Sequence, residues 1–559
     1  MAVDQTRVAA LMRRREALER QRGQWLNHWE DLARMMLPRR AGFLGQSVEG
    51  ERRTEHIFDG TAMQAARGLA NALSSMLRPE GEQWVFIRAA DDELNEQDEV
   101  RAWLARAEER LLSAMFNPKA RLREALGEAD GDLVVFGSAI VFTGRSKDLS
   151  RLTYRSVHLK DGLVGRDSEG NPDTMFREQR LSILQAVDRF GMDALSDEVQ
   201  RRATARQNLD EKIVFDHIIT PRPDGNVEAK LARNMPFAEL WVERDTRKIV
   251  AEGGFQEFPF AVPRWDTSSG EDYGRSPGMI ALPDALTSQA MGETILVAGQ
   301  RAADPPLFAP NDGAFDAINT FPGGISYYDV ETAVQVRGNP FFPLDTGMNL
   351  PIGRDMQNDT REQIRQAFFR NLFNLPVEGP QMTATEVLQR KEEFIREIGP
   401  VFGRLETDYI APIVERSFSV MLRAGSFDPI PEELQGREVR FEFDSPVKRI
   451  RQQAQASSAN IWAQEILGLA QAKPEALDLL DVDGLARFGA EALNLPEQVV
   501  ASRQGVEALR QARAQAQQEA QERERVAQEA SIADQGASAL AKGGPALQQL
   551  LQGVQGGQQ

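Results

Sequence analysis

The chain has 559 residues, 41% hydrophobic and 27% charged, enough to bury a sizeable core and to divide into several domains. Its net charge of -18 argues against a surface that grips nucleic acid all over, though not against one that lets DNA slide past. Cysteine is absent, which excludes disulfides and thiolate metal sites; no apolar run is long enough to read as a membrane span, and no basic-then-apolar leader opens the sequence.

In chain order, the spacing of Leu11, Leu18, Trp25, Trp29, Leu32 and Met36 predicts a helix over 6–37, ended by Pro38. A second helix is expected over 61–77, with Asp59 as its cap and Pro79 as its stop. Trp84-Val85-Phe86-Ile87 reads as a strand, and helices follow near 95–116 and 118–133. Strands are expected around 139–143, 152–157, 174–180, 213–219, 237–243 and 258–265. Residues 1–272 therefore read as α+β.

The middle of the chain changes character. A helix runs to about Ala302, and Pro283 either starts it, or kinks one that starts at Ser276. Residues 303–352 carry 7 Pro and 5 Gly, which favours loops and short strands. They also carry seven aromatics, which a flexible linker would avoid, so a folded, contact-making insertion is expected. A helix over 354–373 follows. Thr383-Ala384-Thr385-Glu386 is a capping box that opens another helix, with Val387, Phe394, Ile398, Phe402, Leu405, Tyr409 and Ile413 on one buried face. Pro400 and Pro412 fall inside it and predict kinks. A strand is expected at 439–443, then helices over 446–471, 475–492 and 496–530. From Ser531 the Gln, Gly and Ala composition predicts a frayed tail.

Catalytic patterns are few. No Gly-Lys dipeptide occurs, so a Walker A phosphate loop is excluded. No HExxH occurs, and His28, His56, His158 and His217 are scattered, so no metal or cofactor is expected. Gly274-Arg275-Ser276-Pro277-Gly278 matches the hydrolase elbow GxSxG. An elbow needs a strand before the serine and a backbone N–H after it, and Pro277 has none. Ser276 as a helix cap with Pro277 in the first turn explains the same residues. Asp481-Val482-Asp483-Gly484 resembles the start of a calcium loop but lacks the remaining ligands, so a turn and cap are expected there.

The order of segments resembles the portal proteins, or head-to-tail connectors, of short-tailed double-stranded DNA bacteriophages. The motifs that carry the likeness are Phe58-Asp59-Gly60-Thr61-Ala62 with Leu69-Ala70-Asn71-Ala72-Leu73, and Trp84-Val85-Phe86. Phe258-Pro259-Phe260 with Arg264-Trp265, and Tyr273-Gly274-Arg275-Ser276-Pro277, come next. Pro305-Pro306, Phe321-Pro322-Gly323-Gly324 and Met382-Thr383-Ala384-Thr385-Glu386 complete the set. The resemblance implies a mainly helical α+β portal fold that assembles as a ring around a channel. Its parts would be a wing (1–272), a first stem helix (273–302), a clip (303–352) and a second stem helix (353–373). A tunnel loop (374–383), a kinked helix returning to the wing (384–445), a crown (446–510) and a C-terminal helix and tail (511–559) would follow.

It also implies a structural rather than catalytic protein of the virion, a ring of twelve at one capsid vertex, present in the host cytoplasm during assembly. Its partners would be further copies of itself, the terminase large subunit, capsid and scaffolding proteins, the tail adaptor and tail, internal core proteins, and double-stranded DNA passing without sequence specificity. A tail adaptor or internal core protein, and less readily a serine hydrolase, are the other classes the residues admit. Two candidate sites follow. Asp355, Asp359, Glu362 and Gln366 form one helical stripe that lines the channel or is merely a solvated face, and Val377 and Glu378 lie in the tunnel loop. Ile364, Phe368 and Leu372 form the packed stripe, leaving Arg354, Arg361 and Arg365 to pair with acids of an adjacent subunit. Phe308, Phe315, Phe321, Tyr327, Tyr328, Phe341 and Phe342 supply the clip with an interface, or fill its own small core.

Overall fold

The computed structural model describes residues 2–45, 50–79, 83–146, 150–227, 229–311, 321–329, 342–343, 350–370, 396–444, 446–470, 473–492, 500–501 and 503–554. The chain divides into two compact units. The first comprises Met1–Arg88, Trp103–Ile430 and Glu438–Ile450, and the second Ala89–Ala102, Pro431–Arg437 and Arg451–Gln559.

The first unit opens with α1 (Ala2–Met36), then α2 (Thr61–Leu77), β1 (Val85–Ala89), α3 (Asp98–Met115) and α4 (Leu122–Phe136). Trp29 of α1 is fully buried, with its Nε1 donating to the Phe136 carbonyl at 3.2 Å. The rings of Tyr273 and Phe43 pack on it at 5.0 and 5.7 Å. The expected tryptophan spacing on α1 thus marks a core face.

After β2 (Val141–Arg145) and β3 (Leu152–Ser156) come β4 (Gly162–Arg166), β5 (Pro172–Ser182), α5 (Ile183–Phe190), α6 (Asp197–Thr204), β6 (Lys212–Pro221), β7 (Phe237–Glu243) and β8 (Lys248–Phe255). Strands β4 to β8 form an antiparallel sheet in sequence order. Side chains alternate across a strand, so one sheet serves two cores. Ile213, Phe215 and Trp241 pack against Ile183, Ala186 and Val199 of α5 and α6. Phe176, Ile218, Leu240 and Val242 point the other way and pack against Val8 and Met12 of α1.

Several expectations are corrected here. β4, β8, α5 and α6 were not foreseen, because β4 and β8 hold glycines that weaken a strand signal and the two helices span eight residues each. The strand expected over 258–265 is broken into β9 (Phe260–Ala261), which pairs with β2, and a single bridge from Arg264 to Ser138, since prolines 259 and 263 cannot donate to a ladder.

Next come α7 (Pro277–Ala303), β10 (Leu307–Asn311), β11 (Ile325–Asp329), β12 (Phe342–Pro343) and α8 (Leu350–Ala367). Ser276 caps α7 and Pro283 lies within it, which settles where this helix starts. Residues 396–405 are helical and pass through a π-turn, Glu406–Ile410, into α9 (Ala411–Arg423). Ile398, Phe402, Leu405, Tyr409 and Ile413 are all buried, as their spacing requires. The widened turn sits directly before Pro412, whose ring clashes with a preceding carbonyl and whose missing N–H breaks the regular ladder. The capping box at Thr383, with Val387 and Phe394, lies outside the described residues. β13 (Val439–Phe443) pairs with β1.

The second unit takes most of α10 (Pro446–Ala470), then α11 (Val482–Ala492) and α12 (Arg503–Val554). Asp481 caps α11, its Oδ1 accepting from Gly484 N at 2.9 Å, so the Asp481–Gly484 turn is a cap as expected. Asp483 instead takes a forked pair from Arg510 at 2.5 and 2.7 Å. The tail expected to fray from Ser531 is helical to Val554, because Ala and Gln cost a helix little and low charge alone does not end one.

Candidate functional site

The helices α7 and α8 run antiparallel and bracket the β10–β12 insertion. Gln357 Nε2 lies 3.5 Å from the Ser288 carbonyl, Thr360 meets Met291, and Gly353 faces Ile295, so one helix ascends as the other descends. Pro351 in the first turn of α8 costs no hydrogen bond there.

At the base of the pair is a buried polar node centred on Asp59, which is 5% exposed. Its Oδ1 accepts from the Thr61 backbone at 2.8 Å and the Thr61 hydroxyl at 2.6 Å. Its Oδ2 accepts from Ser288 of α7 at 2.5 Å, Arg361 of α8 at 2.8 Å and Gln357 at 3.4 Å. Gln289 completes the node: its Oε1 accepts from Phe58 N and Asp59 N, and its Nε2 donates to the Asp59 carbonyl. Burial alone would raise the Asp59 pKa, but the bonds from Ser288, Thr61 and Arg361 outweigh it and hold it down at about 2. Asp59 does not merely start a helix; it ties α2, α7 and α8 together. Asp-Gly-Thr before a helix was the legible signal for its role at α2, and nothing local announced Arg361.

The α8 stripe is real as a face. Asp355, Asp359, Glu362 and Gln366 are all exposed, while Gln357, Thr360, Ile364 and Phe368 are buried on the opposite side. Leu372, Val377 and Glu378 lie outside the described residues. Two of the arginines expected to be able to pair with an adjacent subunit have partners within their own chain. Arg361 is engaged by Asp59 of its own chain, and Arg365 lies 3.3 Å from Glu362 on the same helix. An arginine one turn from an acid on its own helix reaches it without a partner.

In the insertion, β10 pairs with β11 in parallel and with β12 antiparallel, so Phe308 stands opposite Ser326 and Phe342. Tyr327 and Tyr328 stand opposite Ala309 and Pro310. Phe321 is exposed at 59%. Phe315 and Phe341 lie outside the described residues.

The serine of the GxSxG pattern is buried. Its Oγ accepts from Met279 N at 3.0 Å and donates to the Val135 carbonyl at 2.7 Å, so it is a cap whose hydroxyl is fully used. Among the described residues no group of three or more His, Asp or Glu is placed to hold a metal, and no helix is long and apolar enough to cross a membrane.

The bacteriophage head to tail connecting protein family matches residues 8–500. The chain belongs to this family. It is 30% identical over 545 residues to the "Probable portal protein" of Bordetella phage BPP-1, covering 96% of each. It is 28% identical to the portal protein of Salmonella phage epsilon15, covering 92% of this chain and 93% of that one. Among solved structures, a chain in the virion of a native gene transfer agent particle matches at 10% identity, over 75% of this chain and 91% of that one, with a TM-score of 0.34.

In this connector, then, the residues that hold the α7–α8 pair in place are bonded to one another, while Asp355, Asp359 and Glu362 are exposed on the other face of α8. The fold class expected from the sequence, α+β and mainly helical, is the one observed.

Proposed function

We propose that this connector forms a closed ring of twelve copies at one vertex of the capsid, through which the genome enters and leaves. The observation that carries the reading is the family match over residues 8–500. The exposed apolar side chains on the helix pair support it: Ile280, Leu286, Leu296, Ile352 and Met356 stay open in one copy. Side-by-side packing in a ring would cover such a surface.

In this reading residues 1–272 are the wing, α7 and α8 the stem, 303–352 the clip, 374–383 the tunnel loop, 384–445 the kinked helix returning to the wing, and 446–510 the crown. The clip docks the terminase during packaging and the tail adaptor afterwards. Phe308, Phe321, Tyr327, Tyr328 and Phe342 supply aromatic area of the kind interfaces favour. Capsid, scaffolding and internal core proteins meet the outer and upper faces. The ring assembles in the host cytoplasm and ends in the virion of a short-tailed phage. Asp355, Asp359, Glu362 and Gln366 turn toward the bore, where fixed negative charge keeps phosphates from adhering to the wall. The work is mechanical and electrostatic rather than catalytic.

Negative-stain electron microscopy of the purified chain tests the ring directly. Rings with a central hole are expected, and a stable monomer at micromolar concentration in both low and high salt would overturn the reading. Deleting residues 310–340 should leave the ring intact and abolish terminase docking; docking that survives removes the clip assignment.

A further inference from the structure

Across the five-stranded sheet, Arg177 of β5 stands opposite His217 of β6, which stands opposite Trp241 of β7. The His217 and Trp241 rings stack at 4.1 Å and 16°. The Arg189 guanidinium from α5 lies 4.1 Å over the Trp241 ring centre. Arg155 of β3 joins from the neighbouring sheet. It pairs with Phe142, whose ring packs on Phe260 at 5.2 Å, and Phe260 in turn meets His217 at 6.5 Å.

Arg177 and Arg189 therefore meet at one aromatic plate, and Arg155 lies near enough to repel both. None of them forms a salt bridge among the described residues, though the Gln179 side-chain oxygen accepts from both terminal nitrogens of Arg177 at 3.0 and 2.9 Å. Arg177 thus adds charge to the group while Arg155 and Arg189 supply the forks. The carboxylate at the plate, Glu239, is already committed, accepting from His217 Nε2 at 2.9 Å and Trp241 Nε1 at 3.0 Å. The cost of the arrangement is visible on Arg177. Burial first, and then repulsion from Arg155 and Arg189, depress its pKa to about 10, with Asp161 only partly opposing them. His217 is buried and its Nδ1 has no partner, with Arg177 and Arg189 both near enough to disfavour its protonation. Asp161 and Glu239 offset these like charges in part, and the repulsion left over would fall further if an anion joined them.

We propose that Arg155, Arg177 and Arg189 form an oxyanion-binding site that takes a single carboxylate side chain from an acidic protein segment. Arginine forks match a carboxylate with two parallel N–H bonds, and a guanidinium stacked on an aromatic ring keeps its edge free for that purpose. Arg155 and Arg189 are exposed, and Arg177 is recessed between them, so a side chain has a way in. A DNA duplex fits less well. It would press many phosphates against a body of net charge -18, with Asp188 beside Arg189 and Asp161 beside Arg177, whereas one carboxylate brings one charge.

Isothermal titration of the full chain with hexaglutamate, and separately with a short DNA duplex, at fixed ionic strength tests this. Wild type should bind hexaglutamate, and the double variant R155Q/R189Q should bind it at least about tenfold more weakly, the loss expected when forked charge-assisted bonds are removed. Should that variant unfold, R155K/R189K keeps the charge while losing the fork, and an affinity between the two is expected. Equal affinity in wild type and variants, or no binding by wild type, overturns the site. A duplex that binds more tightly than hexaglutamate with the same dependence on these arginines overturns its assignment to protein carboxylates.

Discussion

Arg361 of α8 donates from Nε to Oδ2 of Asp59 at 2.8 Å, across 302 positions of the chain. This bond joins the turn before α2 to the second helix of the pair, and Ser288 brings α7 to the same oxygen. The geometry of both helices relative to α2 therefore passes through one carboxylate.

That carboxylate makes stability depend on pH. Its pKa falls from the ordinary 3.8 to about 2 in the folded protein. The stabilisation is therefore complete above pH about 4 and disappears as pH drops through about 2, and a shift of this size corresponds to about 2 kcal/mol. Asp59→Asn should lower the urea midpoint clearly at pH 7, and the gap to wild type should narrow between about pH 4.5 and pH 2.5. A gap that does not change with pH would show that the charge on Asp59 is irrelevant.

The π-turn places Tyr409 where its hydroxyl donates to Asp130 at 3.0 Å, and Arg78 closes the group by donating to the same carboxylate. Arg78 also lies 5.5 Å over the Tyr409 ring. All three are buried, and burial raises the pKa of Asp130. Removing one member of a buried pair strands the other, at about 3–5 kcal/mol, whereas losing a neutral donor costs about 1–3 kcal/mol. Thermal denaturation should rank Arg78→Ala as much more damaging than Tyr409→Phe. The reverse order would mean that the ion pair contributes little.

Gly137 and Gly274 face each other backbone to backbone. A Cβ on Gly137 would sit 2.3 Å from the Gly274 carbonyl oxygen, and a Cβ on Gly274 equally close to that of Gly137, while Gly137 also has φ +78°. The nearest contact is backbone and cannot swing aside, so Gly274→Ala should lower stability by about 3 kcal/mol, the upper end of the usual cost of overpacking. A thermal midpoint equal to wild type would refute the contact.

The exposed stripe of α8 tests the channel reading. Changing Asp355, Asp359 and Glu362 all to Lys should leave Ile364 and Phe368 packed, since the stripe lies on the opposite face. Rings of the variant should package DNA more slowly at low salt, with the defect shrinking as salt shortens the Debye length from about 30 Å at 0.01 M to about 8 Å at 0.15 M. Wild-type rates at low salt in intact rings would place this stripe away from DNA.

The local chemistry of the chain was legible from its residues. Tryptophan spacing marked the core face of α1, Ser276-Pro277 marked the start of α7, and acids spaced by one turn marked an exposed face on α8. These signals act between residues within a few positions of each other, where helix period and missing N–H groups leave little choice. The sequence alone also carried the motifs whose resemblance to head-to-tail connectors the family match bears out. Tertiary structure decided the rest. Asp59 reads as a cap until Ser288 and Arg361 arrive from distant helices, and Arg361 reads as free for a neighbour until its partner is seen. Arg155, Arg177 and Arg189 become a group only through strand register and the packing of α5, which no local pattern encodes. Contacts between residues far apart in sequence depend on how the whole chain buries its apolar faces, so they are fixed only once the fold has formed.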